Sequence, residues 1–196
     1  MVIAQQLPGV GITRKINYPI IESFYFTNDK AIIPEIKLLY MEAFTVGLSA
    51  QYVDNLKLDK YLQTIFDTGG AFVGRSSSAI TACLLYAPIG FDAECPTELR
   101  QTINSDSSVY IAELMVAEKE RGKGIAKELL QSFLQESVRK RISDVVIRVW
   151  AENNIALNLY QKSGFVYAAE IMQEKLKNDG FTPFTMKKLY LRKELK

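Results

Sequence analysis

The segment of this chain best suited to chemistry is Arg121-Gly122-Lys123-Gly124-Ile125-Ala126, a hexapeptide that opens a helix. Gly122 and Gly124 let the backbone approach a ligand closely and take dihedrals closed to other residues. The first amides of a helix lack intrahelical acceptors, and the aligned peptide dipoles add positive potential there. Together these features suit a phosphate or pyrophosphate, with Arg121 and Lys123 adding charge from the rim. Taken alone, the hexapeptide serves equally well as a glycine-tolerant helix start with nothing bound. A P-loop needs Gly-Lys followed by Ser or Thr, whereas Gly124 is followed by Ile125 and Ala126; the three-glycine dinucleotide fingerprint is also missing. A helix that opens on a pyrophosphate with neither motif points toward coenzyme A.

Histidine is absent, which removes Ser-His, Cys-His and His-ligated metal chemistry and leaves carboxylates, tyrosine, lysine, backbone amides or water. No metal site is expected. Cys83 sits in an apolar run and reads as a small core residue, and Cys95 lies in a loop beside Pro96. Two such cysteines form no disulfide framework, and a reducing cytoplasm fits them. Glu113 is a carboxylate between Ala112 and Leu114 in an otherwise apolar strand. Burial would raise its pKa and make it a better base near neutrality. An ion pair with Arg148, equally isolated in the neighbouring strand, explains it as well. Trp150 and Tyr86 could line an acceptor pocket, although aromatic residues at strand ends read first as core or rim.

These residues need elements to position them. Residues 23–27 form a short strand, and Asn28 or Asp29 caps a helix carrying Ile33, Ile36, Leu39, Tyr40, Ala43 and Phe44 at helical spacing. A second helix over 59–67 buries Tyr61, Leu62, Ile65 and Phe66 and ends at Gly69-Gly70. Strands at 71–75 and 79–87 make a hairpin through three serines. Residues 88–108 are irregular, with a helical turn after Pro96. A strand at 109–116 is apolar on both faces. Helix 122–140 carries the stripe Ile125, Leu129, Leu130, Phe133, Leu134 and Val138. The β-branched strand 144–151 then closes a parallel crossover. Asn153 caps a short helix that stops at Gly164, and strands at 165–172 and 185–191 pair antiparallel around Asn178-Asp179-Gly180. The result is one mixed sheet with helices on both faces over residues 21–196, preceded by an extended arm, 1–20.

At 196 residues the chain suits a single domain with a substantial core. A formal charge of +2 is too small to argue for nucleic acid or a membrane as partner. The N-terminus lacks the basic start and apolar core of a signal peptide, and no apolar stretch approaches bilayer-spanning length. A cytoplasmic location is expected.

The residues resemble the GNAT superfamily of N-acetyltransferases. Its acetyl-CoA motif, Arg or Gln, two residues, Gly, one residue, then Gly or Ala, is matched by Arg121, Gly124 and Ala126. A second family segment reads here Asn153, Ala156, Leu159-Tyr160, Lys162 and Gly164-Phe165. The resemblance runs over 109–165, about a third of the chain, and is architectural elsewhere. It implies an α+β, three-layer fold whose mixed, mostly antiparallel sheet has six or seven strands. It implies that backbone amides of Gly122, Lys123, Gly124, Ile125 and Ala126 hold the pyrophosphate, with Arg121 at the rim. The strand Leu114-Met115-Val116 would bond the pantetheine arm and splay from the next strand. An amide near Met115 would polarise the acetyl carbonyl. Asn153 would touch the cofactor arm, and Tyr160 would stand near the sulfur.

Acetyl-CoA would then be the cosubstrate and an amine of a small molecule or protein the acceptor, with a homodimer left open. Tyr160 would be the acid for the departing thiolate and Glu113 the base for the ammonium proton. A mild acidic excess over 88–108 (Asp92, Glu94, Glu98 and Asp106 against Arg100) favours a cationic amine. Two other readings are compatible with the motif: a CoA-binding domain without catalysis, and an acyltransferase using a larger acyl group.

Overall fold

The computed structural model describes residues 23–47, 50–76 and 79–196; the expected arm, 1–20, lies outside them. Strands β1 (Phe24–Thr27), β2 (Gly70–Ser76), β3 (Ala79–Ala87), β4 (Ser108–Val116), β5 (Asp144–Trp150), β6 (Val166–Leu176) and β7 (Pro183–Glu194) form one sheet in the order β1-β2-β3-β4-β5-β7-β6. Only β4 and β5 run parallel. The helices are α1 (Ile33–Phe44), α2 (Asn55–Thr68), α3 (Thr97–Gln101), α4 (Ile125–Arg139) and α5 (Asn154–Lys162). Among the described residues no helix is long and apolar enough to cross a membrane.

The two faces of the sheet carry separate cores. On one, Ile36 and Leu39 of α1 and Leu62 and Ile65 of α2 pack on Cys83, Leu85, Met115, Val146 and Tyr190. On the other, Leu129, Leu130 and Phe133 of α4 pack on Phe72, Leu84, Ile111, Val145, Ile147 and Leu191. Each large apolar side chain so enclosed contributes about 1.5–3 kcal/mol relative to exposure. Tyr86 lies in this second core, edge-on to Phe26 with ring centroids 5.4 Å apart. It packs beneath α4, against Phe133.

Several boundaries differ from those expected. Helix α2 begins at Asn55, because the Asp54 carboxylate accepts the amides of Leu56 and Lys57 at 2.9 and 3.1 Å. Leu56 points to solvent, so the first turn shows no apolar stripe. Helix α4 begins at Ile125, since Gly122 and Gly124 take φ of +76° and +83° and cannot be helical. Near its end Val138 is exposed and Ser137 is buried, its hydroxyl donating to the Phe133 carbonyl at 2.8 Å. That bond removes the cost of an orphan hydroxyl. The irregular stretch contains two 3₁₀ turns besides α3, and β6 and β7 both run longer than expected.

Strand β4 departs from regularity twice. Against β3, Leu85 pairs with Glu113 and Tyr86 with Ile111, leaving Ala112 as a bulge residue. Against β5, pairing runs from Ser108↔Asp144 to Ile111↔Ile147 and then stops, although β4 continues to Val116 and β5 to Trp150. Bulges bend and overtwist the strand that carries them, which here accompanies the parting of β4 from β5.

Helix α2 runs directly into β2 through Gly69, and a Cβ there would lie 2.0 Å from the Tyr86 carbonyl oxygen. The three nearest atoms, two of Tyr86 and one of Ala87, are all backbone, so nothing can swing aside. Gly69→Ala is expected to cost about 2 kcal/mol by overpacking. For a chain of this size that lowers Tm by roughly 4–8 °C. An unchanged thermal melt would contradict the close approach.

Candidate active site

The bulge decides which way Glu113 faces. Val109 and Ile111 point into the α4 core, and Tyr110 and Ala112 into the α1–α2 core. Strict alternation would send Glu113 toward α4. With Ala112 as the extra residue the parity inverts, and Met115 and Ala117 join the α1–α2 face while Val116 joins the other. Glu113 thus meets α2, whose Tyr61 hydroxyl donates to its Oε1 at 2.9 Å. Burial is the main influence on this carboxyl and raises its pKa to about 7, against the opposing pull of the Tyr61 bond, Lys188, Arg148 and Lys175. The group is therefore poised to exchange a proton near neutrality.

Backbone geometry marks the opening between β4 and β5. The Ala117 amide donates to the Thr81 carbonyl at 2.9 Å, so that pair is hydrogen-bonded. In an antiparallel ladder bonded and non-bonded pairs alternate. Met115 and Glu113 therefore direct their backbone groups at β3, and Leu114 and Val116 direct theirs at the opening. The Arg121 guanidinium bonds the Val116 carbonyl at 3.0 Å from that side. The amide expected near Met115 to face the opening is that of Leu114.

The opening leads to the start of α4. The first backbone bond of that helix runs from the Glu128 amide to the Gly124 carbonyl, 3.1 Å. The amides of Lys123, Gly124, Ile125 and Ala126 carry no hydrogen bond among the described residues. A Cβ at Gly122 or Gly124 would meet nothing within 4 Å. Free donors around open space at the positive end of a 15-residue helix fit a pyrophosphate. Lys123 is less available than expected, because its ammonium pairs with the buried Glu120 at 3.0 Å and steadies the loop.

Tyr160 is only 5% exposed, its ring lying 5.9 Å from that of Phe165. Its hydroxyl makes no hydrogen bond among the described residues. It is also not one of the two fully enclosed, unpartnered side-chain oxygens there, which belong to Thr81 and Ser108. The hydroxyl is therefore bound to no carbonyl among the described residues. Burial and then the Glu113 charge raise its pKa, so it stays protonated at neutrality. Asn153 caps α5, its Oδ1 accepting the Ala156 amide at 3.1 Å, which leaves only its NH₂ for a ligand.

The expected pairing of Glu113 with Arg148 is absent. The Arg148 guanidinium instead bonds Glu94 at 2.7 Å and Asp92 and the Tyr190 hydroxyl at 3.3 Å. Tyr190 in turn donates to Asp92 at 2.9 Å. This network ties the loop after β3 to β5 and β7, and it consumes two of the four carboxylates expected to attract a cationic amine, Asp92 and Glu94. Sequence reasoning missed Tyr61 as a partner of Glu113 and missed Lys175 and Lys188 altogether. Tyr61 fits the apolar stripe of α2, and the lysines sit in strands whose alternation is blurred by exposed apolar residues such as Met172 and Leu176.

Comparison with known proteins agrees with this geometry. The Acetyltransferase (GNAT) family model matches residues 33–165. N-alpha-acetyltransferase 30 of Saccharomyces cerevisiae is 37% identical over 71 residues, which cover 36% of this chain and 40% of that protein. The match thus spans well under half of the curated relative. Ribosomal-protein-alanine N-acetyltransferase from Brucella melitensis superposes with a TM-score of 0.64 at 19% identity, covering 88% of this chain and 99% of that one. The structure of yncA from Salmonella typhimurium, solved with its cofactor acetyl-CoA, superposes with a TM-score of 0.62 at 19% identity, covering 89% and 94%.

The raised pKa of Glu113 has a thermodynamic signature. A carboxyl that titrates near 7 when folded and near 4.5 otherwise favours folding through its protonated form. Its contribution is complete below about pH 4.5 and is lost as pH rises through 7. Native stability should therefore fall relative to that of Glu113→Gln between pH 5 and pH 8, by roughly 3 kcal/mol at most for this half-buried group, read as a widening difference in Tm. Parallel melting curves for the two proteins would show that Glu113 titrates normally.

Proposed function

The chain belongs to the Acetyltransferase (GNAT) family, and from that premise we propose that it transfers the acetyl group of acetyl-CoA to a primary amine in the opening between β4 and β5. The observation that carries this reading is the juxtaposition of three things: unbonded helix-opening amides, strand backbone facing an opening, and two proton-transfer groups beside it. The amides of Lys123 to Ala126 hold the pyrophosphate, with Arg121 at the rim. Leu114 and Val116 extend β4 onto the pantetheine arm as an added strand would. The Leu114 amide donates to the thioester carbonyl oxygen, where negative charge builds as the amine attacks.

Two side chains handle protons. Glu113 accepts the proton released by the amine, directly or through one water, at a pKa matched to the task. Tyr160 donates to the departing sulfur; its hydroxyl, less acidic than a thiol at ~8.5, holds its proton until the thiolate forms. Lys123 keeps the loop in place through Glu120, and Asn153 presents its NH₂ to the arm. A module that merely bound CoA would have no use for a neutral-range carboxylate held by Tyr61 beside a free phenol.

Binding is tested first. CoA should raise Tm by mass action, by about 2.7 kcal/mol of stability at a hundredfold excess over Kd. Gly124→Val places a β-branched residue at φ +83°, where space is open but the backbone is strained. It should lower CoA affinity at least tenfold, ~1.4 kcal/mol, beyond its own modest loss of stability. No calorimetric heat with millimolar CoA would end the proposal.

Turnover is tested next. Tyr160→Phe should lower kcat by roughly tenfold to a thousandfold with the KM for acetyl-CoA nearly unchanged. For the native enzyme kcat/KM should fall as pH drops below about 7, and Glu113→Gln should lose that limb. A Tyr160→Phe enzyme as fast as the parent at every pH would remove the acid from the mechanism.

A further inference from the structure

One face of the sheet beside the opening carries two cations that make no hydrogen bond or ion pair among the described residues. On β7, Met186 and Tyr190 lie in the α1–α2 core, so Lys188 between them faces the same way. On β6, Ala169 and Ile171 pack on that core, and alternation brings Gln173 and Lys175 to the same face. On β5, Val146 is in that core, and Arg148 and Trp150 follow it in parity. Lys188 pairs in register with Trp150 at the end of β5, where β5 has already left β4. Glu113, Arg148, Trp150, Lys188 and Lys175 therefore share one face of the sheet at one end of the opening.

Formal charge on this face balances, with Asp92, Glu94 and Glu113 against Arg148, Lys175 and Lys188. The hydrogen bonds do not. Asp92 is bonded by Arg148, Tyr190 and the Glu94 amide. Glu94 is bonded by Arg148 and Gln173, and Glu113 by Tyr61. Both lysines are half-buried, and neither makes a hydrogen bond or an ion pair among the described residues. Burial lowers the pKa of each, that of Lys188 to about 8, and both feel the charges of Glu113 and Glu94. Every carboxylate is engaged and two ammonium groups are not. What this face lacks is an acceptor of hydrogen bonds with negative charge.

We propose that the amine acceptor also carries an anionic oxygen group, carboxylate or phosphate, held by Lys175 and Lys188 while its amine points at Glu113. This deepens the transferase reading above, rests on it, and reverses the cationic preference that the loop composition alone suggested. A cationic acceptor would find Asp92 and Glu94 already bonded and two ammonium groups in its path.

The test uses the full chain, acetyl-CoA and matched acceptors: β-alanine against β-alaninamide, O-phosphoethanolamine against ethanolamine, and 1,4-diaminobutane as the cation. At least one anionic member should exceed its neutral partner in kcat/KM by tenfold or more, and the two anionic arms distinguish carboxylate from phosphate. Lys188→Gln and Lys175→Gln should each reduce that ratio severalfold while keeping the CoA-induced rise in Tm, and Lys188→Arg should retain most of it. Equal rates within each pair, a preference for the diamine, or an undiminished ratio in the glutamine variants would each overturn the proposal.

Trp150 is the only tryptophan in the chain, which allows a reading independent of turnover. In CoA-saturated protein its fluorescence should change saturably with β-alanine or O-phosphoethanolamine, and less so in Lys188→Gln. Fluorescence binding without thiol release from any acceptor would sink the transferase reading and leave an anion site. Thiol release without charge preference would sink the anion site and leave the transferase.

Discussion

A β-strand that loses one neighbour halfway along must find other partners for its backbone, because an amide or carbonyl left unbonded away from water costs about as much as a lost hydrogen bond. That is the situation of β4 beyond Ile111, where pairing with β5 ends. The Arg121 guanidinium satisfies the Val116 carbonyl, and the Leu114 backbone is left for solvent or a bound chain. Most of the site follows from this vacancy in the ladder. It fixes the direction from which a ligand can lie along β4. It aims that ligand at the start of α4, since the loop from Val116 to Gly124 is short and locked by Glu120 and Lys123. In the proposed reaction, the reactive end of the ligand then falls beside Glu113 and Tyr160.

The sequence made the helices and strands legible wherever one side of an element is buried. The stripe of α4, the β-branched run of β5 and the Asn153 and Gly164 boundaries of α5 were all readable, because burial periodicity and cap chemistry are local. The glycine-opened start of α4 was legible too, although the hexapeptide alone left a bound anion and an empty helix start equally open. What stayed hidden depended on partners far away in the chain. Glu113 and Arg148 looked like a pair because each is a lone charge in an adjacent apolar strand. Yet β4 and β5 separate before reaching them, and Arg148 finds the loop carboxylates instead. Tyr61 was legible as a core residue but its hydroxyl was not, because its partner is 52 positions away.

The Asp92–Arg148–Tyr190 cluster shows why composition misleads about specificity. A count of charges over the loop after β3 suggests an acidic rim. In the folded chain two of those charges, Asp92 and Glu94, are the outer half of a hydrogen-bonded network whose inner half is a fully buried tyrosine. An isolated Arg148 at 19% exposure would be costly to bury, and the loop carboxylates offset that cost while fastening the loop to the sheet. Their contribution to the proposed recognition is therefore indirect: they hold one wall of that face in place.

The bulge at Ala112 also bears on how such a chain can change length over evolutionary time. In a strand, inserting or deleting one residue normally turns every following side chain to the opposite face. Around Ala112 the arithmetic differs, since Ala112 and Glu113 already share a face. Loss of Ala112 would restore simple alternation, with Ile111 and Leu114 still toward α4 and Glu113 still toward α2. This position of β4 can therefore lose a residue without disturbing what comes after it, whereas a similar change a few residues later would exchange Met115 for Val116 across the sheet. Homologues that align badly by length at this point can nonetheless present the same groups to the same ligand.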